Sequence, residues 1–251
     1  MAYDILATSQ TPALIIYVLD VSGSMQYPLN GQQRIHVVMD ALTVTLQQMV
    51  FRCTKGSQIS PRYRIAMFAY SDKVYDLLGG VMTIDQVANL GVPVLSTMRA
   101  TDTEQAFLEV EKLLQRELPM LGNCPAPLVC HMTDGEYTGG NPEPVVRRIM
   151  NMRNPDGNVL VENIFISDNL LPDPVIDPST WQGVTPSTQL RNKYAMTLRS
   201  MSSPLPASYR VMMAESGYNL APDAVMMLPG MTPELVEMGF VMSMSTPVSL
   251  Y

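Results

Sequence analysis

Apolar positions follow two different rhythms along this chain. The stretch ALIIYVL, residues 13–19, is apolar throughout, rich in branched side chains, and bounded by Pro12 and Gly23. Such a run predicts a strand buried on both faces. Beyond it, Ile35, Val38, Met39, Leu42, Leu46, Met49 and Val50 recur at intervals of three and four, stopping before Lys55-Gly56. That period predicts a helix with one apolar face. The same reading gives a strand over 62–70, a short strand over 74–78, a brief helix over 84–90 and a helix over 103–118. Thr103 is the expected cap of that last helix, and Pro119 follows its end. PLVCHM, residues 127–132, predicts an apolar strand that runs into a Thr133-Asp134-Gly135 turn. A helix over 142–152 opens with a proline. After it come a strand over 159–166, helices over 189–201 and 207–216, a last strand over 224–228 and a last helix over 233–242.

Strands that alternate with helices, and are themselves apolar throughout, describe an α/β domain with a mainly parallel sheet of about six strands. No internal repeat or low-complexity linker is present. The proline-rich segment near 172–186, within about 168–188, reads as a loop inserted in a single domain spanning 1–251, with its core over 13–242. In open parallel sheets ligands are met at the carboxyl ends of the strands. Two polar segments fall there: VLDVSGSM after the first strand, and HMTDGE after the strand that ends near 132.

Composition narrows the possibilities. With 251 residues the chain can bury a sizeable core. The formal net charge is -7 and no Lys/Arg cluster is present, which argues against nucleic acid or anionic lipid as a partner. No stretch approaches a membrane span. The N-terminal MAYDILATSQTP has neither a basic start nor a long apolar run, so it does not read as a secretory signal, and a cytoplasmic location is expected. Cys53, Cys124 and Cys130 have no zinc or redox spacing and are odd in number, so they are expected as free or buried thiols. Of the 21 methionines, eight crowd the last third, from Met212 to Met244. They predict adaptable core filling, with a soft binding surface as the alternative.

The candidate chemistry begins at Asp20, Ser22 and Ser24. Their period of two places them on one face of an extended segment, and Gly23 lets the backbone turn between the two serines. A carboxylate and two hydroxyls, all oxygen donors, suit a hard divalent cation rather than zinc. This DVSGS pattern, with the threonines of RATDTEQAF and Asp134 of MTDGE in the same chain order, resembles the metal-ion-dependent adhesion site (MIDAS) of von Willebrand factor A (vWA) domains. Thr101 takes the family's threonine position, with Thr103 as the alternative. Arg99-Ala100 stand where the family has glycines. The resemblance runs from about residue 13 to 242.

The resemblance implies a Rossmann-like three-layer fold. It also implies a ligand set of Asp20, Ser22, Ser24, Thr101 and Asp134 around Mg²⁺, or Mn²⁺ or Ca²⁺. The hydroxyls would ligate directly, the two aspartates mostly through water. Such a site takes a Glu or Asp side chain from a partner protein, so the expected role is binding, not turnover. Within the family the chain is most similar to intracellular bacterial TerY-like proteins of tellurite-resistance clusters, which implies a kinase or phosphatase as partner. The alternative is a substrate adaptor of an AAA+ (chelatase or MoxR-type) ATPase. An enzyme is disfavoured. The HAD phosphatase pattern needs an acid where Ser22 stands, SGSMQ fails the GxSxG elbow, and no phosphate loop is present. Glu136 and Tyr137 are expected on the rim of the site, Asp102 as a solvated carboxylate or helix cap, and His131 in the core. Trp181 and Tyr194 are expected either to pack the long loop or to form a recognition surface.

Overall fold

A computed structural model describes residues 3–135 and 137–248. Strand β1 (Ala13–Asp20) is buried along its whole length, as its unbroken apolar run requires. Helix α1 (Arg34–Cys53) follows, then β2 (Tyr63–Tyr70), β3 (Val74–Asp76), β4 (Met82–Thr83), α2 (Ile84–Leu90) and α3 (Thr103–Glu117). The second half supplies β5 (Leu128–Thr133), α4 (Glu143–Asn151), β6 (Leu160–Ile166), α5 (Lys193–Ser200), α6 (Ala207–Glu215), β7 (Met227–Gly230) and α7 (Pro233–Ser243).

One seven-stranded sheet runs in the order β7-β6-β5-β1-β2-β3, with β4 also paired to β2. All pairings among β7, β6, β5, β1 and β2 are parallel; β3 and β4 run antiparallel to β2. β4 is two residues long and carried no periodicity that could announce it. The alternation of side chains along β1 divides the core. Ile15, Tyr17 and Leu19 pack with Val38, Leu42 and Leu46 of α1 and Phe240 of α7. Leu14, Ile16 and Val18 pack on the opposite face with Phe107 and Val110 of α3 and Val146 of α4. The result is three layers, helix on sheet on helix. After β1 the chain continues to β2 on one side and later returns to β5 on the other, which opens a crevice at the carboxyl end of β1.

Several boundaries differ from the sequence expectation. The helix expected over 189–201 begins only at Lys193, because the Asn192 side chain accepts from Tyr194 N (2.7 Å) and caps it there. The strand expected over 224–228 is displaced to Met227–Gly230. Backbone groups of 224–226 are already taken, Ala224 O accepting from Leu205 N, Val225 N donating to Val184 O and Met226 N to Ser203 O. Pro229 is tolerated in β7 because that strand pairs only with β6, at the sheet edge. Asp102, expected as a solvated carboxylate or helix cap, caps α3 in place of Thr103, its side chain accepting from Gln105 N (3.0 Å).

The proline-rich loop is packed down. Leu170, Leu171 and Val184 are buried, Trp181 lies against both faces of the core, and Arg199 ties the loop by donating to Thr188 O (2.7 Å). Met213, Met226, Met227, Met238, Met242 and Met244 are buried, so most of the late methionines fill the core. The three cysteines are free and buried. Among the described residues no helix is long and apolar enough to cross a membrane.

Glu162 is the odd residue of this core. It lies on β6 opposite Cys130 of β5, fully buried, and neither carboxyl oxygen is hydrogen-bonded. Burial pushes its carboxyl well above the ordinary glutamate value, so it keeps its proton where an exposed glutamate is ionised. The unfolded chain releases that proton near 4.5. The group's contribution is therefore fully present below that pH and is lost as pH rises toward the folded value. The Glu162→Gln variant is neutral at every pH. Its stability relative to the parent should rise between pH 5 and pH 8, measured as urea midpoints. A pH-independent gap would show that Glu162 is not held protonated.

Candidate metal centre

The crevice at the end of β1 brings the polar segments together. Asp20 is the last residue of β1 and lies level with Tyr70 at the end of β2. It is fully buried. Its Oδ1 accepts from Ser22 N (2.8 Å) and its Oδ2 from the Thr133 hydroxyl at the end of β5 (2.7 Å). The Ser22 and Ser24 hydroxyls lie 3.1 Å apart, Ser22 buried and Ser24 partly exposed at the mouth. The chain turns between them at Gly23, where an added Cβ would lie 3.1 Å from the Met98 carbonyl oxygen. No side chain fits there without moving the loop that carries Thr101.

Asp134 follows β5 in a turn that only glycine completes. Gly135 has φ +89°, and a Cβ on it would run into the Phe165 ring. Asp134 is buried; its Oδ2 accepts from Arg34 Nη1 (3.1 Å), and its Oδ1 is buried without a hydrogen-bond partner. Burial, and next the charge of Asp134, push the Asp20 carboxyl up to about 6. The Ser22 and Thr133 hydrogen bonds resist that rise.

Thr101 sits in a loop clamped over this corner: Met98 N donates to Val21 O and Asp102 N to Ser71 O, both at 2.6 Å. Thr101 is buried, and Thr138 ties it to the loop after β5 through Thr138 N to Thr101 O (2.9 Å). Its hydroxyl makes no hydrogen bond to Asp20, Ser22, Ser24 or Asp134 among the described residues. The Thr103 hydroxyl points into the core instead, 3.4 Å from Tyr70 Oη. Below the site Tyr70 Oη meets His131 Nε2 (2.8 Å), and His131 Nδ1 meets Asn163 Oδ1 (2.8 Å). Burial pushes His131 down to about 4, which makes it the expected core histidine. Tyr137 packs edge-on against Tyr194 (5.7 Å between centroids), partly exposed on the rim; Glu136 lies outside the described residues.

The donor set fits a hard divalent cation. Two carboxylates crowd one buried corner, one carboxyl oxygen has no partner, and hydroxyls stand beside them. Among the described residues no group of three or more His, Cys, Asp or Glu side chains gathers at one point. Two residues of the site escaped the sequence reading. Thr133, which anchors Asp20, was absorbed into a turn signal. Arg34 left a faint trace, as a basic residue in the first turn of a helix, where the helix dipole favours acids.

No protein-family model matches the chain, and no curated protein matches it. Solved structures do. The pilus adhesin SpaC from Lactobacillus rhamnosus GG superposes with a TM-score of 0.57 at 11% identity, over 90% of this chain and 29% of that one. Proximal thread matrix protein 1 from the mussel byssus, with a zinc-occupied MIDAS motif, matches with a TM-score of 0.43 at 15% identity, over 64% of this chain and 37% of its own. The manganese-loaded TRAP protein of Plasmodium vivax gives 0.41 at 16% identity, over 64% and 59%. The chain thus spans less than two thirds of each of these structures. The fold is a three-layer α/β fold built on a mainly parallel sheet, and SpaC shares it.

The anchoring bond makes a pH-dependent prediction. Thr133→Val should cost about 1.5–3 kcal/mol at pH 8, where Asp20 is ionised and the lost bond is charge-assisted. The cost should shrink below about pH 6, where Asp20 is protonated. The loss of the acceptor for Gly135 N is a pH-independent part. Thermal unfolding in a chelator at both pH values measures the difference; an equal cost at the two would mean that Thr133 does not stabilise the Asp20 charge.

Proposed function

We propose that this chain is a protein-interaction module whose binding depends on a divalent cation, Mg²⁺ or else Mn²⁺ or Ca²⁺, held by Asp20, Ser22, Ser24, Thr101 and Asp134. The observation that carries the reading is the buried, unpartnered Asp134 Oδ1 beside a second buried carboxylate and a pair of hydroxyls. Leaving two carboxylates in such a corner is unfavourable without a cation to offset them. When bound, the cation supplies a Lewis-acidic position open to an anionic oxygen.

The chain's own residues do the rest. Ser22 and Ser24 present neutral hydroxyls, and the cation's open position would take a Glu or Asp side chain of a partner protein. Thr133 and the Ser22 N–H hold Asp20 in one orientation. The backbone bonds of Met98 and Asp102 fix the loop that carries Thr101, the family's threonine position. A role in binding rather than turnover is supported by His131, whose two ring nitrogens are committed to Tyr70 and Asn163. The cytoplasmic, TerY-like setting with a kinase or phosphatase partner rests on the sequence resemblance alone. Neighbouring genes for signalling proteins would favour it over the AAA+ adaptor reading.

The test is calorimetric titration with Mg²⁺ or Mn²⁺, with and without acetate as a carboxylate probe. The parent protein should bind and Asp134→Ala should not. Binding by neither, with acetate present, would overturn the metal reading. Asp20→Ala and Ser22→Ala should also lose the cation while far-UV circular dichroism stays near that of the parent. Loss of secondary structure in either would make those residues structural instead.

A further inference from the structure

Arg34 is the first residue of α1, an unfavourable place for a cation, yet it is packed in. Only 13% of its side chain is exposed. Nη1 lies 3.1 Å from Asp134 Oδ2, and the Tyr27 ring covers the guanidinium at 5.9 Å. The Nε donor is buried and has no partner. A guanidinium clasps a carboxylate with paired N–H groups, so this arginine leaves part of its donor fork unused beside the site.

The charges make this placement consequential. Ionised Asp20 and Asp134 carry two negative charges, which a divalent cation alone would neutralise. With Arg34 on Asp134, the occupied site instead carries one positive charge in excess. One carboxylate from outside restores neutrality. Arg34 therefore opposes the bare cation and favours the cation that has an acidic group upon it.

We infer that Arg34 is the residue that couples the two ligands: it weakens divalent-cation binding by the free protein and strengthens it when a carboxylate is present, so that cation and acidic partner bind cooperatively. Such coupling is reciprocal by linkage, and each ligand raises the affinity for the other by the same factor. The free protein would then hold little metal until an acidic partner arrives, with Arg34 serving as the counterion of Asp134 in the meantime. This inference rests on the metal-dependent reading of the site and adds to it a determinant of when the site fills.

The experiment is Mn²⁺ titration of the parent, Arg34→Gln and Arg34→Lys, each without and with excess acetate at matched ionic strength. Without acetate, Arg34→Gln should bind Mn²⁺ roughly tenfold tighter or more, because cation–cation repulsion at close range is removed. The enhancement by acetate seen in the parent should fall toward one in Arg34→Gln and persist in part in Arg34→Lys, which keeps the charge. Circular dichroism confirms that the variants fold. The inference is overturned if acetate does not enhance Mn²⁺ binding by the parent, or if Arg34→Gln shows the parent's affinity and enhancement. In those cases, Mn²⁺ binding that Asp134→Ala abolishes leaves the metal site standing. No Mn²⁺ binding by any of the proteins, with acetate present, sinks the metal reading and this inference together.

Discussion

Repulsion between two buried carboxylates governs the carboxyl end of this sheet. Asp20 ends β1 and Asp134 follows β5, and the charge of one raises the proton affinity of the other. Water cannot screen them in that corner, so neighbouring groups must. Thr133 and the Ser22 amide donate to Asp20, Arg34 donates to Asp134, and one oxygen of Asp134 is left without a partner. A corner with that remainder of unmatched charge is suited to a small hard cation.

The fold supplies the confinement that makes the repulsion matter. β1 is sandwiched between β2 and β5 and covered on both faces, so its last residue emerges where two crossovers part. The close approach of Met98 to Gly23 brings the Thr101 loop down over the opening. Beneath it, Tyr70, His131 and Asn163 form a neutral hydrogen-bonded floor, since burial keeps the histidine uncharged. The floor gives the site rigidity without adding a charge to the balance above it. Arg34 supplies a positive charge to that balance, and its guanidinium is held by both Asp134 and Tyr27.

Much of this was legible in the residues. Continuous apolar runs named the central strands, and three-four periodicity named α1 and α3. DVSGS and TDG fall after apolar strands, as a crevice site requires. The misplacements share a cause, competition for backbone groups. Residues 224–226 have the composition of a strand but spend their hydrogen bonds on the long loop and on 203–205, so β7 starts later. Likewise Asp102 takes the cap that Thr103 could have filled, since a carboxylate one residue earlier reaches Gln105 N.

What the sequence determined by itself was the alternation of elements, the burial of the core strands and the presence of carboxylates and hydroxyls where those strands end, because each depends on local period or on side-chain chemistry. What only the tertiary structure decided was which charges face one another. Arg34 and Asp134 are 100 residues apart, and Thr133 and Asp20 are 113 apart. Nothing in their local sequence says they meet. Their pairing follows from the parallel order of β1 and β5 and from the start of α1 at Arg34 beside their carboxyl ends, and Coulomb interactions act through space, not along the chain.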